Sequence, residues 1–553
     1  MTYRPPSQMM TNCPLCKAPV IGRPYFERYR VCDECDRHMP ISVSLRIQAT
    51  VDLDSFAELD RTLSSTDPLL FADEEPYPDK LKSAQTVHRR GDAAVYGRAT
   101  LQGVPIVLFV LDFAFLGGSM GVVVGEKLAR AAELARKERR ALITIVGSGG
   151  ARMQEGLLSL LQMAKTVAAV QEVKDSGLPL ISVLTNPTTG GVFASFASLG
   201  DVIYAEPRAL IGFAGPRVAE QVLGKPLPPG SHTAEFLLAH GFVDSVVPRV
   251  HLRSALGMTL TTLGSNVART KRTKRGSGPL EPLEPWEAVQ TARDPDRPTT
   301  LHYIASCLDF WLELHGDRSG FDDRAVVAGL GQLEGKAVAF IGFERGSGED
   351  SVDRRGGRPM PGGYRKAQRL MRLASRFGLP LIAFIDTPGA WPGIESEENG
   401  LAFEIATSMA AQIRVTSPTI AVIVGEGGSG GALAFAVTDR VLMQERAIYT
   451  VIAPEGAAAI LYRDASRAPE LAERLKLTAS EVRRLRISDG TIPEPPGGAK
   501  ADPAQAAQNV KSALLDHLAE LERIEQPKRI ATRYRRYREI GVNYLTDAAF
   551  LND

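Results

Sequence analysis

Residues 142–151 read LITIVGSGGA, and 239 residues further on residues 381–390 read LIAFIDTPGA. Each is a short apolar run, rich in β-branched residues, that stops at glycines, which is the pattern of a buried strand opening into a loop. The flanks keep the spacing: Lys127 falls on Lys366, Arg130 on Arg369, Ala135 on Ala374 and Pro179 on Pro418. Gly190-Gly191 falls on Gly430-Gly431, and Asp201 on Asp439, each within one residue of the same offset. The chain therefore carries two copies of one domain. In the first copy, residues 125–137 read as a helix with Leu128, Ala132 and Leu134 on its apolar face, and 141–146 as a central strand. Residues 156–174 read as a second helix with Leu157, Leu160, Leu161 and Ala164 at core spacing, and 180–184 as a strand ended by Pro187. Strands alternating with helices specify an α/β fold with a mainly parallel sheet of βαβ units.

Composition narrows the function classes. Of 553 residues 44% are apolar and 23% charged, an ordinary soluble composition at a length that implies several domains. Lys+Arg of 65 against Asp+Glu of 64 leaves a net charge of +1, so no overall field favours a dedicated nucleic-acid binder. The longest apolar runs, 104–111 and 379–385, fall far short of the ~18–20 residues of a membrane span. The opening MTYRPPSQMMTNC has no apolar signal core, and five cysteines are too few for a disulfide scaffold, so a cytoplasmic location is expected.

Four of those cysteines, Cys13, Cys16, Cys32 and Cys35, form C-x2-C, fifteen residues, C-x2-C. Two turn-borne thiolate pairs at this spacing converge on one tetrahedral zinc. A redox pair normally opens a helix of a βαβ unit, and none surrounds these. A closed four-thiolate site leaves no open position, so the expected zinc is structural. At the middle of the chain, GSNVARTKRTKRGSGPLEPLEP (264–285) mixes Gly, Ser and Pro with the cations of Arg269–Arg275 and reads as a solvated linker. The expected organisation is a zinc ribbon over 1–45, a first α/β domain over 46–263, the linker over 264–285 and a second α/β domain over 286–545.

In parallel α/β folds, ligands bind beyond the carboxyl ends of the strands. Both copies place glycines there: TNPTTGGVFASFA around Gly190-Gly191 and GEGGSGGALAFA around Gly430-Gly431. Glycines let main-chain N–H groups approach a ligand, and a helix start adds unpaired donors. Tight packing explains one such turn equally well; recurrence at a fixed offset favours function. Gly190, Gly191, Gly430 and Gly431 are the candidate catalytic residues, their amides forming oxyanion holes. The upstream loops SGGARMQEG (148–156) and DTPGAWPG (386–393) supply the opposite wall, with Gly149, Gly150, Gly389 and Ala390 as substrate-binding candidates. No GxxxxGK[ST] loop, nucleophile elbow or HExxH is present, and Cys307 reads as core. A site of main-chain amides without an acid–base pair suits a substrate that brings its own base.

The motifs, taken together, resemble a known family. The cysteine tetrad with FAFLGGSMGVVVGEK, SGGARMQEGLLSL, TNPTTGGVFASFASLGD and EPRALIGFAGPRV is similar to the β subunit of bacterial acetyl-CoA carboxylase carboxyltransferase. HGDRSGFDDRAVVAGL, PMPGGYRKAQRLM, FIDTPGAWPG, GEGGSGGALA and APEGAAAILY are similar to its α subunit. The resemblance implies two crotonase-like βαβ superhelical domains in tandem behind the zinc ribbon. It implies transfer of a carboxyl group from carboxybiotin, on a biotin carboxyl carrier protein served by biotin carboxylase, to acetyl-CoA, giving malonyl-CoA for fatty acid synthesis. One oxyanion hole would face the biotin ureido oxygen and the other the thioester enolate; by position Gly190-Gly191 is assigned to biotin. Released biotin anion is the implied base. The halves are usually separate chains, so fusion implies a homodimer, with pairing in cis also open. Tyr364 and Lys366 are candidates for contact with substrate or carrier, a solvated helix start being the plainer reading. Arg152 is open between a phosphate contact and an internal ion pair. The basic, aromatic tail KRIATRYRRYREIG reads as a docking helix. Two alternatives stand beside this reading: a carboxyltransferase for propionyl-CoA or another acyl-CoA, and a nucleic-acid-binding regulator using the ribbon and Arg269–Arg275.

Overall fold

The computed structural model describes residues 11–67, 69–72, 75–213, 220, 225–264 and 283–540. Most of the expected linker, including Arg269–Arg275, lies outside them. The chain divides into two compact units, Met1–Gly264 and Ser265–Asp553.

The first unit is built on an eight-stranded sheet ordered β1-β2-β3-β4-β5-β6-β8, with β7 paired to β5. The strands are β1 (Ala57–Leu59), β2 (Ala94–Leu101), β3 (Val104–Leu111), β4 (Ala141–Ser148), β5 (Leu180–Thr189), β6 (Val202–Ala205), β7 (Ile211–Gly212) and β8 (Ser245–Val246). β2 and β3 form a hairpin over Gln102-Gly103, both at positive φ (50° and 80°), as a tight two-residue hairpin turn requires. From β3 onward every pairing is parallel. The second unit repeats this with β9 (Phe310–Glu313), β10 (Val326–Leu333), β11 (Lys336–Phe343), β12 (Leu381–Thr387), β13 (Thr419–Gly428), β14 (Arg440–Gln444), β15 (Ile448–Thr450) and β16 (Gly490–Ile492). Its hairpin turn, Glu334-Gly335, again has two positive φ angles.

The repeat holds to single contacts. Leu142 pairs with Leu180 and Ser148 with Thr188; 239 residues on, Leu381 pairs with Thr419 and Thr387 with Gly427. Lys127 and Lys366 are both fully buried, each donating from Nζ at 2.9 Å to the carbonyl that starts a strand, of Ala94 and Val326 respectively. Asp201 and Asp439, each just before a strand, accept the first N–H of the preceding parallel strand, from Leu180 and Thr419, at 2.9 Å. The C-terminal helix Gln526–Glu539 docks on its own unit: buried Arg533 forks onto Asp439 at 2.8 and 2.7 Å. Cys307 is core. Among the described residues no helix is long and apolar enough to cross a membrane.

Two local expectations are corrected. β5 does not end at Pro187 but runs to Thr189, because its pairing with β4 shifts register and the last residues turn to β7; proline, which has no N–H to give, sits at that irregularity. The leucines of Gly156–Asp175 do not face the core. Leu157, Leu160 and Leu161 are 67%, 52% and 54% exposed, while Ser159, Gln162, Thr166, Val170 and Val173 face inward. The reason is close packing against Val122–Glu138, where a Cβ on Gly125 would lie 2.1 Å from the Gln162 side chain, so the thin face packs inward and the bulky one is left outside.

Candidate active site

At the carboxyl ends of β4 and β5 the two Gly-rich loops touch. Gly150 (φ +113°) and Gly190 (φ +63°) approach so closely that a Cβ on Gly190 would stand 3.1 Å from the Gly150 Cα. In the second unit, Gly389 (φ +134°) occupies the place of Gly150, and a Cβ on Gly431 would lie 2.6 Å from the Ala390 nitrogen. Superposing the repeat by strand register changes one correspondence. Gly190 matches Ser429, which holds φ +59°, and Gly191 matches Gly430; the two diglycines are out of step by one residue.

The main-chain hydrogen bonds decide which amides are free. The Gly149 N–H donates to the Gly117 carbonyl at 2.8 Å, Gly150 to Ser148 Oγ at 3.1 Å and Gly190 to the Phe213 carbonyl at 2.9 Å. Gly389 donates to Thr387 Oγ at 3.0 Å. These amides are spent, Gly190 included. Ala151 and Ala390 follow directly, and among the described residues neither N–H meets an acceptor. Gly191 and Gly430 each stand second in a helix, Gly190–Phe193 and Ser429–Ala436, where the N–H has no intrahelical partner. Each unit thus presents one loop amide and one helix-start amide at adjoining turns, and donors of this kind, where they converge, can stabilise an oxygen that gains negative charge.

The charged candidates face inward. Arg152 is fully buried, forks onto Asp92 at 2.7 Å twice, and also reaches Ser119, Tyr77 and Glu155. It is an internal ion pair that braces the Gly149–Ala151 turn from beneath. Lys366, expected at a substrate or a solvated helix start, is instead buried against Asp322 at 2.8 Å and the Val326 carbonyl. Tyr364 is buried among Phe343 and Phe435, its hydroxyl beneath the Gly431 turn. Arg152→Ala would take from Asp92 and Glu155 the guanidinium they share, and such breakage of a buried pair costs about 3–5 kcal/mol. Denaturant unfolding followed in the first unit should show a loss of that size.

The second unit also holds a cavity of about 560 Å³ lined by Arg293, Arg345, Arg358, Asp386, Pro388 and Glu426, next to the Gly389 turn. Burial pushes the Asp386 carboxyl up against the pull of Arg345, whose Nε lies 3.3 Å away. Arg293 grips Glu426 with two hydrogen bonds, at 2.9 and 2.7 Å. The sequence reading passed over these residues, although a signal existed: at the 239 offset Asp386 replaces Gly147 and Glu426 replaces Pro187, so charge enters one copy where the other has none.

At the N-terminus, Cys13, Cys16, Cys32 and Cys35 come from two knuckles with the same hydrogen bonds nineteen residues apart: Lys17 N–H to Cys13 O and Asp36 N–H to Cys32 O, Cys13 N–H to Ala18 O and Cys32 N–H to Arg37 O. Their sulfurs lie within 4.8 Å of one another, with Cys13–Cys35 and Cys16–Cys32 at 3.6 Å. Tetrahedral zinc with ~2.3 Å bonds wants sulfurs about 3.8 Å apart, so the four fit. Burial pushes the Cys13 thiol up, but backbone N–H groups of Cys16 and Leu15 and the neighbouring thiols draw it down to about 6.

With this geometry in view, the chain compares with known proteins as follows. A family model described as acetyl co-enzyme A carboxylase carboxyltransferase-like matches residues 261–541. A protein of Salinispora arenicola (strain CNS-205) named acetyl-coenzyme A carboxylase carboxyl transferase subunits beta/alpha is 45% identical, covering 97% of each chain. One of the same name from Parafrankia sp. (strain EAN1pec) is 44% identical, over 96% of this chain and 91% of that one. The chain belongs to the acetyl-CoA carboxylase carboxyltransferase family. It is a carboxyltransferase, with the β-type and α-type halves in one polypeptide. Its fold also matches the transcarboxylase 12S crystal structure with a TM-score of 0.68 at 23% identity, over 86% of this chain and 89% of that one.

Proposed function

We propose that this carboxyltransferase moves a carboxyl group from carboxybiotin, delivered on a biotin carboxyl carrier protein, to acetyl-CoA, forming malonyl-CoA. Carboxybiotin supplies the carboxyl group and, once that has left, the base for the thioester methyl group. The chain's own task is then to hold two oxygens that gain negative charge. In the first unit Ala151 N–H and Gly191 N–H carry that role, and in the second Ala390 N–H and Gly430 N–H. Gly150, Gly190, Gly389 and Gly431 keep side chains out of the way so that each pair can converge. The observation that carries the reading is the recurrence of one spare loop amide beside one spare helix-start amide in both units, at the same repeat positions. Preorganised donors of this kind contribute about 3–4 kcal/mol each to a transition state.

The arginine-lined cavity beside Gly389 supports placing the biotin end in the second unit and the coenzyme A thioester in the first, as the family resemblance implies for the carrier and the nucleotide; only the assignment of the two oxyanion holes by position is exchanged. A structural zinc in the cysteine site and a homodimer complete the proposal. The exposed face of Leu157, Leu160 and Leu161 favours a second copy as its cover, since apolar patches of this kind mark interaction surfaces. Purified chain given malonyl-CoA and free biotin should form acetyl-CoA, and about tenfold faster than it turns over methylmalonyl-CoA, the scale set by one methyl group in a pocket. Equal or faster use of methylmalonyl-CoA would move the assignment to another acyl-CoA; no transfer from any acyl-CoA would overturn it.

A further inference from the structure

We infer that Glu206 is a positioning residue through which the four-cysteine module sets the Gly190-Gly191 turn; the inference rests on the reading of Gly191 as an oxyanion donor.

Glu206 directly follows β6 and is 1% exposed. Buried carboxylates are rare unless paired, and this one has three cationic or hydrogen-bonding neighbours. Arg249 forks onto it at 2.8 and 2.7 Å, Arg46 donates at 2.7 Å, and His38 Nδ1 lies 3.4 Å away. Burial alone would raise its pKa, but the two guanidinium groups hold the carboxyl well below the usual carboxylate range. The partners come from different places. His38 belongs to the second cysteine knuckle, three residues beyond Cys35. Arg249 spends its remaining nitrogen, Nη1, on the knuckle region, donating to the carbonyls of Tyr29 at 2.7 Å and Met39 at 3.1 Å. Thus Arg249 clamps the cysteine module to Glu206.

From Glu206 the chain runs to the active turn with every step fastened. Glu206 N–H donates to Leu184 O, Ala209 N–H to Glu206 O, Leu210 N–H to Asn186 Oδ1 and Thr188 N–H to Leu210 O, at 2.8–3.1 Å. β7 then pairs with Thr188 and Thr189, and Phe213 O accepts the Gly190 N–H. Six residues separate Glu206 from Phe213, and that strap holds one wall of the amide pair. Both straps are pinned from the same side, 209–211 by His232, Thr233 and Ala234 and 448–449 by Leu477 and Thr478, but the strap of the second unit has no cysteine module behind it. The two otherwise equivalent sites therefore differ in what sets them, and only the first is tied to the metal-binding module.

The test is a cycle of two perturbations on the full-length chain: Glu206→Gln, and removal of zinc by chelation. Glu206→Gln keeps shape but sets an amide N–H against two guanidinium groups. Amide exchange across 188–191 should quicken about tenfold in the variant, within the usual range of coupling between sites, while exchange at 427–431 stays put. Zinc removal should quicken exchange at 188–191 in the parent chain, and by much less in Glu206→Gln, because the link is already cut. Transfer from malonyl-CoA should lose turnover with little change in KM. Should Glu206→Gln fail to fold, Arg249→Lys, which keeps one charge but loses the fork, serves the same cycle. Unchanged exchange at 188–191, or additive effects of the two perturbations, would overturn the inference. A parent chain without transfer activity would refute the proposed reaction, yet leave the exchange result able to decide the coupling.

Discussion

Gly431→Ala is expected to slow carboxyl transfer by a factor of about 10²–10³, whereas Gly430→Ala should leave it within a few-fold, although the two glycines are neighbours. The sequence presents them as an interchangeable pair. The structure does not: a Cβ at Gly431 would stand 2.6 Å from the Ala390 nitrogen and 3.0 Å from the Gly389 carbonyl carbon, backbone atoms that must move to admit it. A Cβ at Gly430 would meet nothing nearer than Ile405 Cγ2 at 3.9 Å, ordinary contact. What moves in the first case is the loop amide assigned to the oxyanion, and removal of one such donor is worth about 3–4 kcal/mol. Gly190→Ala should fall between, since its Cβ would press on the Gly150 Cα at 3.1 Å while Ser429 shows that the repeat tolerates a side chain at that φ. kcat with malonyl-CoA and biotin, read beside thermal unfolding, checks the order. If Gly430→Ala proved as damaging as Gly431→Ala, the choice of Ala390 as donor would be wrong.

That case shows where the sequence stops being legible. The offset of 239 was enough to find the duplicated domain, the parallel sheet, the two Gly-rich loops and their place at the strand ends, because strand register and close backbone approach leave their mark on residue type. Three things left no such mark. Which amides are spent depends on partners such as the Phe213 and Gly117 carbonyls, and any residue type supplies a carbonyl. Whether Arg152 and Lys366 meet solvent or Asp92 and Asp322 depends on tertiary burial, since a cation at a helix start looks the same in either setting. The leucines of Gly156–Asp175 mislead for the opposite reason: their spacing is that of a core face, yet the helix turns its small and polar residues inward against Gly125. An apolar helical stripe signals burial against some surface, and the same period serves another subunit as well as the helix's own domain.

Zinc removal should unfold residues 11–39 outright while the second unit keeps its stability. The module's buried apolar cluster consists of Cys13, Val20, Phe26, Cys32 and Met39, with Cys35 packed beside it. Burying side chains of that size gives roughly 1.5–3 kcal/mol each at best, and ordering some thirty residues consumes more than that total. Metal ligation, worth about 10–16 kcal/mol in small zinc modules, has to make up the difference. One zinc per chain is therefore expected, and Cys32→Ala should behave as chelation does. The sign with pH follows from the ligands: four thiols must lose protons to bind, so acid weakens the site, and even Cys13, drawn down to about 6, is protonated below that value. Loss of the module also leaves Arg249 Nη1 without the Tyr29 and Met39 carbonyls, so the first unit should lose stability while the second does not. Exchange or limited proteolysis across 11–39, before and after chelation, reads the outcome. Persistent protection of those residues with zinc fully removed would mean that the knuckles fold on their own hydrogen bonds, and that the thiolates serve a purpose other than holding the module together.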